Sequence, residues 1–189
     1  MKTIPAITQR YSPMGFNPER LITDEERNTL FNAARWAASS FNEQPWRFIW
    51  ADRTDPEAWD TMISLLTEYN QRWASTSSLL VMAIASEIFD KTGKRNGHAR
   101  YDLGMSVANM VIQATSMGLQ AHQMGGFDGK RAVTELDIPE GFAPVAVIAL
   151  GEAVSVDQVA EEFRERASEA RVRKSLDTFA FRGGFGRKG

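Results

Sequence analysis

The sequence predicts a single α+β or α/β domain in which helices cover a small β-sheet. Two observations indicate this architecture. Segments with helical hydrophobic spacing alternate along the chain with short apolar or aromatic segments of strand length. The chain has 189 residues, 43% hydrophobic and 24% charged, which suits one domain with an adequate core. There is no internal repeat and no evident linker, so we expect one domain over residues 1–189.

The first half of the chain contains two predicted helices and two predicted strands. Thr23 followed by Glu26 is a capping-box pattern, which predicts a helix from about residue 24 to 38. WRFIWA predicts a short aromatic strand. Asp55-Pro56 predicts the start of a second helix that runs to about residue 68. SLLVMAIAS, residues 78–86, predicts a buried strand.

The second half begins with a long predicted helix from about residue 99 to 117, whose apolar residues form one continuous stripe. Gly118 can end that helix. LQAHQM and APVAVIALGE predict strands, and Asp128 predicts the start of a short helix through Leu136. Ser155 with Gln158 predicts a charged helix to about residue 171, and a basic, aromatic, Gly-rich segment follows.

The composition argues against several classes of function. A net charge of −2 gives no support for a nucleic-acid partner or an acidic membrane surface. The absence of cysteine removes thiol nucleophiles, disulfides and thiolate metal sites, and it suits a cytoplasmic protein. The first residues lack the apolar stretch of a signal peptide, and no apolar run has the length of a membrane span. We therefore expect a cytoplasmic protein without a membrane partner.

Familiar catalytic patterns are missing as well. The sequence has no Gly-rich phosphate loop and no Gly-x-Ser-x-Gly motif. Its two histidines, His98 and His122, lie far apart and have no carboxylate at ligand spacing, so neither a metal site nor a Ser/His triad is expected. Asp102, Asp128 and Asp137 are explained by helix capping or solvent exposure.

Two stretches in the first half carry chemically useful side chains. Arg10 and Ser12 can grip a phosphate by charge and hydroxyl, although a surface arginine is the simpler explanation. SSFNEQPW places hydroxyls and amides beside aromatic rings, which suits the wall of a site for a flat polar ligand. A capped turn with core aromatics explains the same residues.

Two further stretches lie in the second half. Adjacent Gly125 and Gly126 after a strand allow backbone N–H groups to approach a ligand ring, or they form a plain turn. Arg171 and Arg173 alternate on an extended segment, so both guanidiniums point to one side. That arrangement suits a phosphate, while a solvated basic tail is the simpler alternative.

In order and spacing, these stretches resemble the flavin-dependent nitroreductase family. The resemblance rests on Arg10-x-Ser12 and on three longer segments: AARWAASSFNEQPWRFI, YDLGMSVANMVIQATSMGLQAHQMGGFD and RVRKSLDTF. It covers essentially the whole chain. It implies a three-layer sandwich with a small, mostly antiparallel sheet covered by helices. It also implies a homodimer in which a C-terminal arm, about residues 172–189, is exchanged over the partner.

The resemblance further implies the cofactor and the reaction. FMN would lie at the subunit interface, take a hydride from NADH or NADPH, and pass it to a small-molecule acceptor such as a nitroaromatic or quinone. Arg10, Arg171 and Arg173 would hold the FMN phosphate, and Gly125 would offer its backbone N–H to flavin N5. The other residues implied at the flavin are Tyr11, Ser12, Met14, Ser39, Ser40, Asn42, Asn70, Met124 and Gly126, with Ser39, Ser40 and Asn42 reaching it from the partner subunit.

Three positions depart from the family pattern. Met14 stands where the family usually has Lys or Arg, Trp73 where many members have Lys, and Ala38 where Pro is usual. In the family, the cations at the positions of Met14 and Trp73 commonly face the N1/O2 edge of the flavin. Their replacement here therefore bears on the reaction rate, the flavin potential and the substrate range. A flavin-binding protein that stores or senses FMN with little turnover is therefore an alternative. A helical ligand-binding module without flavin is a third possibility.

Overall fold

Four strands form the central sheet: β1 (Trp46–Asp52), β2 (Leu79–Ser86), β3 (Gln120–Met124) and β4 (Phe142–Gly151). Their order is β1-β2-β4-β3, and every neighbouring pair is antiparallel. The predicted α+β class and the mostly antiparallel sheet are thereby confirmed. The computed structural model describes residues 2–187, so the ends of the predicted domain and arm (residues 1, 188 and 189) lie outside the described residues.

Seven α-helices occur within residues 2–187: α1 (Pro5–Gln9), α2 (Asp24–Ala34), α3 (Pro56–Leu65), α4 (Glu68–Ala74), α5 (Ala99–Ser116), α6 (Gly129–Glu135) and α7 (Glu161–Ser168). Three short 3₁₀ turns cover Ser40–Asn42, Val156–Gln158 and Leu176–Thr178. Over the same described range, no helix combines the length and the apolar character that a membrane crossing requires.

The helices form a layer on each face of the sheet. Successive side chains of β2 point to opposite faces and are all buried. Leu80 and Met82 join one hydrophobic cluster with Trp73 of α4, and Leu79 and Val81 join a second cluster with residues of α2 and α5. The predicted three-layer sandwich is confirmed, and its two half-cores are separated by the sheet.

The predicted helix caps are largely confirmed. The Glu26 N–H donates to Thr23 Oγ1 at 3.2 Å, and the Thr23 N–H donates to Glu26 Oε2 at 2.9 Å, which completes the capping box of α2. Asp128 accepts two backbone N–H groups at the start of α6. Gly118 has a φ of 79°, the left-handed conformation that ends α5.

Three predicted helix ends are wrong. The helix predicted to residue 38 ends at Ala34, and the helix predicted to residue 68 ends at Leu65. In the second case Leu66 turns extended because it pairs with Phe127, and the Thr67 N–H donates to the Gly126 carbonyl at 3.0 Å. Helix α4 then starts afresh at Glu68, and the sequence analysis did not predict it.

The charged helix predicted to residue 171 is also interrupted. The capping box of Ser155 and Gln158 opens only a 3₁₀ turn, and Val159 is extended and buried in the core. Helix α7 begins at Glu161 and ends at Ser168. Burial of Val159 therefore overrides the helical pattern of the sequence. The short helix α1 was likewise not predicted.

Candidate functional site

A cleft of about 680 Å³ lies between the segment after α1, strand β3, and the chain on both sides of α7. Its volume falls within the range typical of small-molecule sites. Five of the predicted site residues line its N-terminal and C-terminal walls: Arg10, Tyr11, Ser12, Arg171 and Arg173; Met14 lies at its floor. The structure thus brings together residues that are separated by most of the chain.

Arg171 ties the two walls together. Its Nη1 donates to the Thr8 carbonyl at 3.1 Å and to the Arg10 carbonyl at 2.9 Å. Its guanidinium lies 5.7 Å from the centre of the Tyr11 ring. Arg10 Nη1 in turn donates to Ser12 Oγ at 3.4 Å. These contacts place guanidinium and hydroxyl donors side by side, as a phosphate site requires.

The arginine cluster carries uncompensated positive charge. Partial burial lowers the pKa of Arg10, and the neighbouring charges of Arg173 and Arg171 lower it further. None of the three forms an ion pair with a carboxylate in the part of the chain that the structure describes. Like charges at close range repel one another, so this donor set fits a dianionic phosphate group such as that of FMN.

The Tyr11 backbone is already engaged in a different contact. Its N–H donates to Gln120 Oε1 at 3.1 Å, at the start of β3. Pro13 follows Tyr11 by two residues, and His122 follows Gln120 by two. The Pro13 carbonyl and His122 Nδ1 lie 2.8 Å apart. The polar side chains at alternate positions of β3 therefore hold the N-terminal wall of the cleft in place.

His122 and Met14 line the cleft, and the His122 ring packs on the buried Trp73 ring behind it. Met14 is 4% exposed and packs into the core, and Trp73 is 2% exposed. The rings of His122 and Trp73 stack with centroids 4.3 Å apart and planes inclined by 27°. Within residues 2–187, the buried Trp73 indole N–H has no hydrogen-bond acceptor. No fixed positive charge therefore occupies positions 14 and 73.

Burial is the main cause that lowers the pKa of His122. The bond to the Pro13 carbonyl opposes this effect, and the charges of Arg166 and Arg10 add to it. Arg166, on α7, also lines the cleft and donates to the Tyr69 hydroxyl at 3.3 Å. Sequence reasoning did not single out Arg166, and it considered His122 only for metal or triad chemistry. The signal available for His122 was its position two residues after Gln120, which places both polar side chains on the same face of the strand.

The two adjacent glycines have different surroundings. The Gly126 carbonyl accepts from Asn70 Nδ2 at 3.1 Å, and a Cβ at Gly126 would lie 2.8 Å from that same nitrogen. A Cβ at Gly125 would meet nothing within 4 Å. The Gly125 N–H donates no hydrogen bond to any described residue. Gly125 therefore offers an available donor and open space beside it, which fits a flat ring that approaches the backbone.

Two further predicted residues are largely used inside the fold. The Met124 side chain is buried in the core, so only its backbone is available to a ligand. Asn70 donates to the Gly126 carbonyl, which places its side chain beside the glycine pair. Direct contact of Met14, Asn70, Met124 or Gly126 with a flavin stays a prediction.

The loop that carries Ser39, Ser40 and Asn42 does not line this cleft. Its conformation is unusual, because Phe41, Asn42 and Gln44 all have φ between 52° and 55°. Ser39 Oγ accepts from the Gln44 N–H at 3.0 Å, and the Ser40 N–H donates to Asp102 Oδ2 at 3.0 Å. Phe41 projects into solvent and is 92% exposed.

Asp102 corrects an expectation from the sequence. It was assigned to capping or solvent exposure, yet it is buried in α5 and holds the Ser40 backbone. Strain in non-glycine residues often accompanies a functional loop. The buried carboxylate and the three left-handed residues together give this loop a defined shape at the protein surface.

Within residues 2–187 there is no group of three or more His, Asp or Glu side chains that could hold a metal ion. The residues that line the cleft offer anion binding by guanidiniums and proton exchange at one histidine, whereas Gly125, whose N–H is available, is not among them.

Comparison with known proteins identifies relatives of the chain. The sequence profile of the nitroreductase family matches residues 7–152. A crystal structure of an oxidoreductase containing FMN is 33% identical, covers 100% of this chain and 95% of that chain, and superposes with a TM-score of 0.91. An uncharacterized protein of Mycolicibacterium smegmatis is 37% identical over 72% of this chain and 89% of its own length. The oxygen-insensitive NAD(P)H nitroreductase of Salmonella typhimurium is 23% identical over 80% of this chain and 88% of its own.

Proposed function

The chain belongs to the nitroreductase family, and from this premise we propose that it is an FMN-dependent oxidoreductase. It takes a hydride from NADH or NADPH and passes it to a small oxidised acceptor such as a nitroaromatic or a quinone. When bound, FMN supplies the hydride chemistry. The residues of this chain anchor its phosphate, present a backbone donor to its ring, and leave one face of the ring open.

One observation carries the proposal: the uncompensated cluster of Arg10, Arg171 and Arg173 at the cleft wall. These guanidiniums and Ser12 would hold the phosphate. The Gly125 N–H, which no described residue uses, would donate to flavin N5. The FMN named for the structural relative supports this assignment.

A homodimer would complete the site. Ser39, Ser40 and Asn42 lie outside the cleft of their own chain, on a shaped surface loop. We propose that this loop reaches the FMN of the partner subunit. The chain after α7 supports such an assembly, because it carries exposed apolar residues that include Val172, Leu176, Phe179 and Phe185. Exposed apolar patches of this kind mark interaction surfaces.

The test is to purify the protein and identify any flavin that it releases on denaturation. FMN is expected, and FAD or a protein that never binds FMN would contradict the proposal. Arg10→Ala should weaken FMN binding by about 10-fold to 100-fold, because a hydrogen bond between charged groups contributes about 1.5–3 kcal/mol. Lys91→Ala removes one exposed positive charge from a loop outside the cleft and should bind FMN like the unmodified protein.

A storage or sensing protein is the second candidate. It is favoured by positions 14 and 73, where the buried Met14 and Trp73 contribute no positive charge. Stopped-flow reduction of the bound flavin by NADH and by NADPH separates the two functions. Rapid reduction by either nicotinamide, followed by reoxidation with a nitroaromatic, supports the oxidoreductase. Bound FMN that neither nicotinamide reduces supports storage or sensing.

A further inference from the structure

We propose that His122 is the charge-compensating residue of the cleft: its Nε2 takes a proton from solvent when the bound flavin is reduced and releases it when the flavin is reoxidised. This inference rests on the proposed function, since it requires a flavin in the cleft. It assigns a role to a residue that is neither a phosphate anchor nor a metal ligand.

The geometry determines which ring nitrogen can exchange a proton. The Pro13 carbonyl can only accept a hydrogen bond, so His122 Nδ1, 2.8 Å away, must carry a hydrogen. In the neutral ring Nε2 is therefore the unprotonated nitrogen. Because His122 is partly exposed and lines the cleft, solvent and a ligand both have access to the residue. Protonation at Nε2 adds a charge without breaking the bond to Pro13.

The stack on Trp73 suits both protonation states. A neutral imidazole packs on the indole face, and an imidazolium gains cation–π attraction at the same place. Since Trp73 is almost fully buried, its ring is held by the core and keeps His122 in position. The pair therefore forms a rigid support for a group that changes its charge.

The charged groups around His122 disfavour its protonated form before reduction. Arg10 faces it from the N-terminal wall, Arg166 from α7, and Arg171 and Arg173 from the C-terminal segment, against one lining carboxylate, Glu169. Tyr11 also lines the cleft, and the Tyr69 hydroxyl accepts a hydrogen bond from Arg166. Burial and the arginine charges hold the pKa of His122 below its ordinary value. A phosphate at the arginines offsets part of this repulsion.

Reduction of the flavin then favours the protonated form of His122. A hydride from a nicotinamide would bring two electrons and one proton to a bound flavin, so one additional negative charge would enter the cleft. A second proton, taken from water at His122 Nε2, compensates that charge. Met14 and Trp73 cannot change charge, and the arginines stay protonated throughout. Among the residues that line the cleft, His122 alone has an ordinary pKa near neutrality.

Histidine NMR tests the proposal directly, because the chain contains only two histidines. In the FMN complex, the proton affinity of His122 should rise at least tenfold on reduction with dithionite. His98 lies at the start of α5, outside the cleft, and serves as the internal control with an unchanged titration. The same pKa for His122 in the oxidised and reduced complexes would overturn the proposal.

Potentiometry supplies an independent measurement. For a two-electron couple, each proton taken up changes the midpoint potential by about 30 mV per tenfold change in proton concentration. Between the two pKa values of His122, the unmodified protein should therefore have a slope about 30 mV per pH unit steeper than His122→Asn. The asparagine amide can still donate to Pro13 but does not titrate. His98→Asn is the matched control and should follow the unmodified protein.

The outcomes separate this proposal from the proposed function. Failure to bind FMN contradicts the function itself. Bound, reducible FMN with equal slopes in His122→Asn and the unmodified protein contradicts only the role of His122. If His122→Asn does not fold, the NMR titration of the unmodified protein decides the question.

Discussion

Gly125 and Gly126 are neighbours in one turn, but the lack of a side chain matters at each for a different reason. At Gly126 a methyl group would collide with Asn70 and Thr67, whereas at Gly125 it would meet no protein atom within 4 Å. Neither glycine has a positive φ, so alanine can adopt both conformations. Gly126 is thus required by the fold, and we expect Gly125 to be required by the flavin.

This difference predicts opposite results for two alanine variants. Gly125→Ala should leave the free energy of unfolding unchanged or raise it by about 0.4–1 kcal/mol, because alanine restricts the unfolded chain. It should nevertheless weaken FMN binding. Gly126→Ala should lower the free energy of unfolding by about 1–3 kcal/mol through overpacking. Denaturant unfolding of the FMN-free protein and fluorescence titration with FMN measure both effects. Full FMN affinity in Gly125→Ala would show that no ring approaches this position.

Individual residues show how much of the site could be predicted from the sequence. Arg10, Ser12, Arg171 and Arg173 all line one cleft, and it was the family resemblance, not their local patterns, that had placed them together. The burial of Met14 could not be inferred, since its packing depends on partners from several distant elements. The role of Asp102 was missed because a buried carboxylate looks like a surface residue in sequence.

At the scale of elements, the loop after α2 is a rigid structure that depends on α5. Asp102 accepts the Ser40 N–H, and Ser39 accepts the Gln44 N–H. Three residues in left-handed conformations cost about 1–3 kcal/mol each when they are not glycine. Asp102 contributes to offsetting that cost.

Replacing Asp102 should therefore release the loop. Asp102→Ala leaves the Ser40 N–H without its acceptor, which should lower the free energy of unfolding by about 1–3 kcal/mol. It should also weaken FMN binding if the loop reaches the partner's flavin. Asp102→Asn keeps an acceptor oxygen and should lose less in both measurements. FMN affinity unchanged in Asp102→Ala would argue against the shared site.

Element boundaries were predictable where a local signal determines them. The capping box at Thr23 and the left-handed glycine at 118 act through neighbouring residues, and both predictions are confirmed. The last residue of α3 and the first residue of α7 depend on contacts with distant parts of the chain. Leu66 pairs with Phe127, and Val159 enters the core. Hydrophobic periodicity cannot distinguish a helix from an extended segment whose side chains are buried in this way.

At the scale of the whole molecule, the chain after α7 carries exposed apolar side chains that are unusual for a free, solvated tail. Phe185 is 96% exposed and lies against Phe181, with ring centroids 4.9 Å apart. If this arm covers a partner, deletion of residues 176–189 should weaken both dimerisation and FMN retention. FMN should in turn stabilise the dimer by mass action.

Analytical ultracentrifugation with and without FMN measures the dimer, and fluorescence titration measures the affinity. Lys174→Ala, in the same segment but before the deleted residues, is a control for altered charge and should remain dimeric. A truncated chain that remains fully dimeric would contradict the exchanged arm. A truncated chain that is monomeric and still binds FMN at full affinity would contradict the shared site.

The strand order has a consequence for how the chain is made. During synthesis β1 and β2 can pair early, but the other edge of β2 must wait for β4, which begins at Phe142, long after β2 ends at Ser86. Until then the ribosome presents an apolar strand with one unpaired edge, the kind of surface on which chains aggregate. The yield of active protein is therefore expected to depend on how long the β2 edge stays unpaired, more than on the stability of the folded protein. Translation speed, temperature and chaperones set that time.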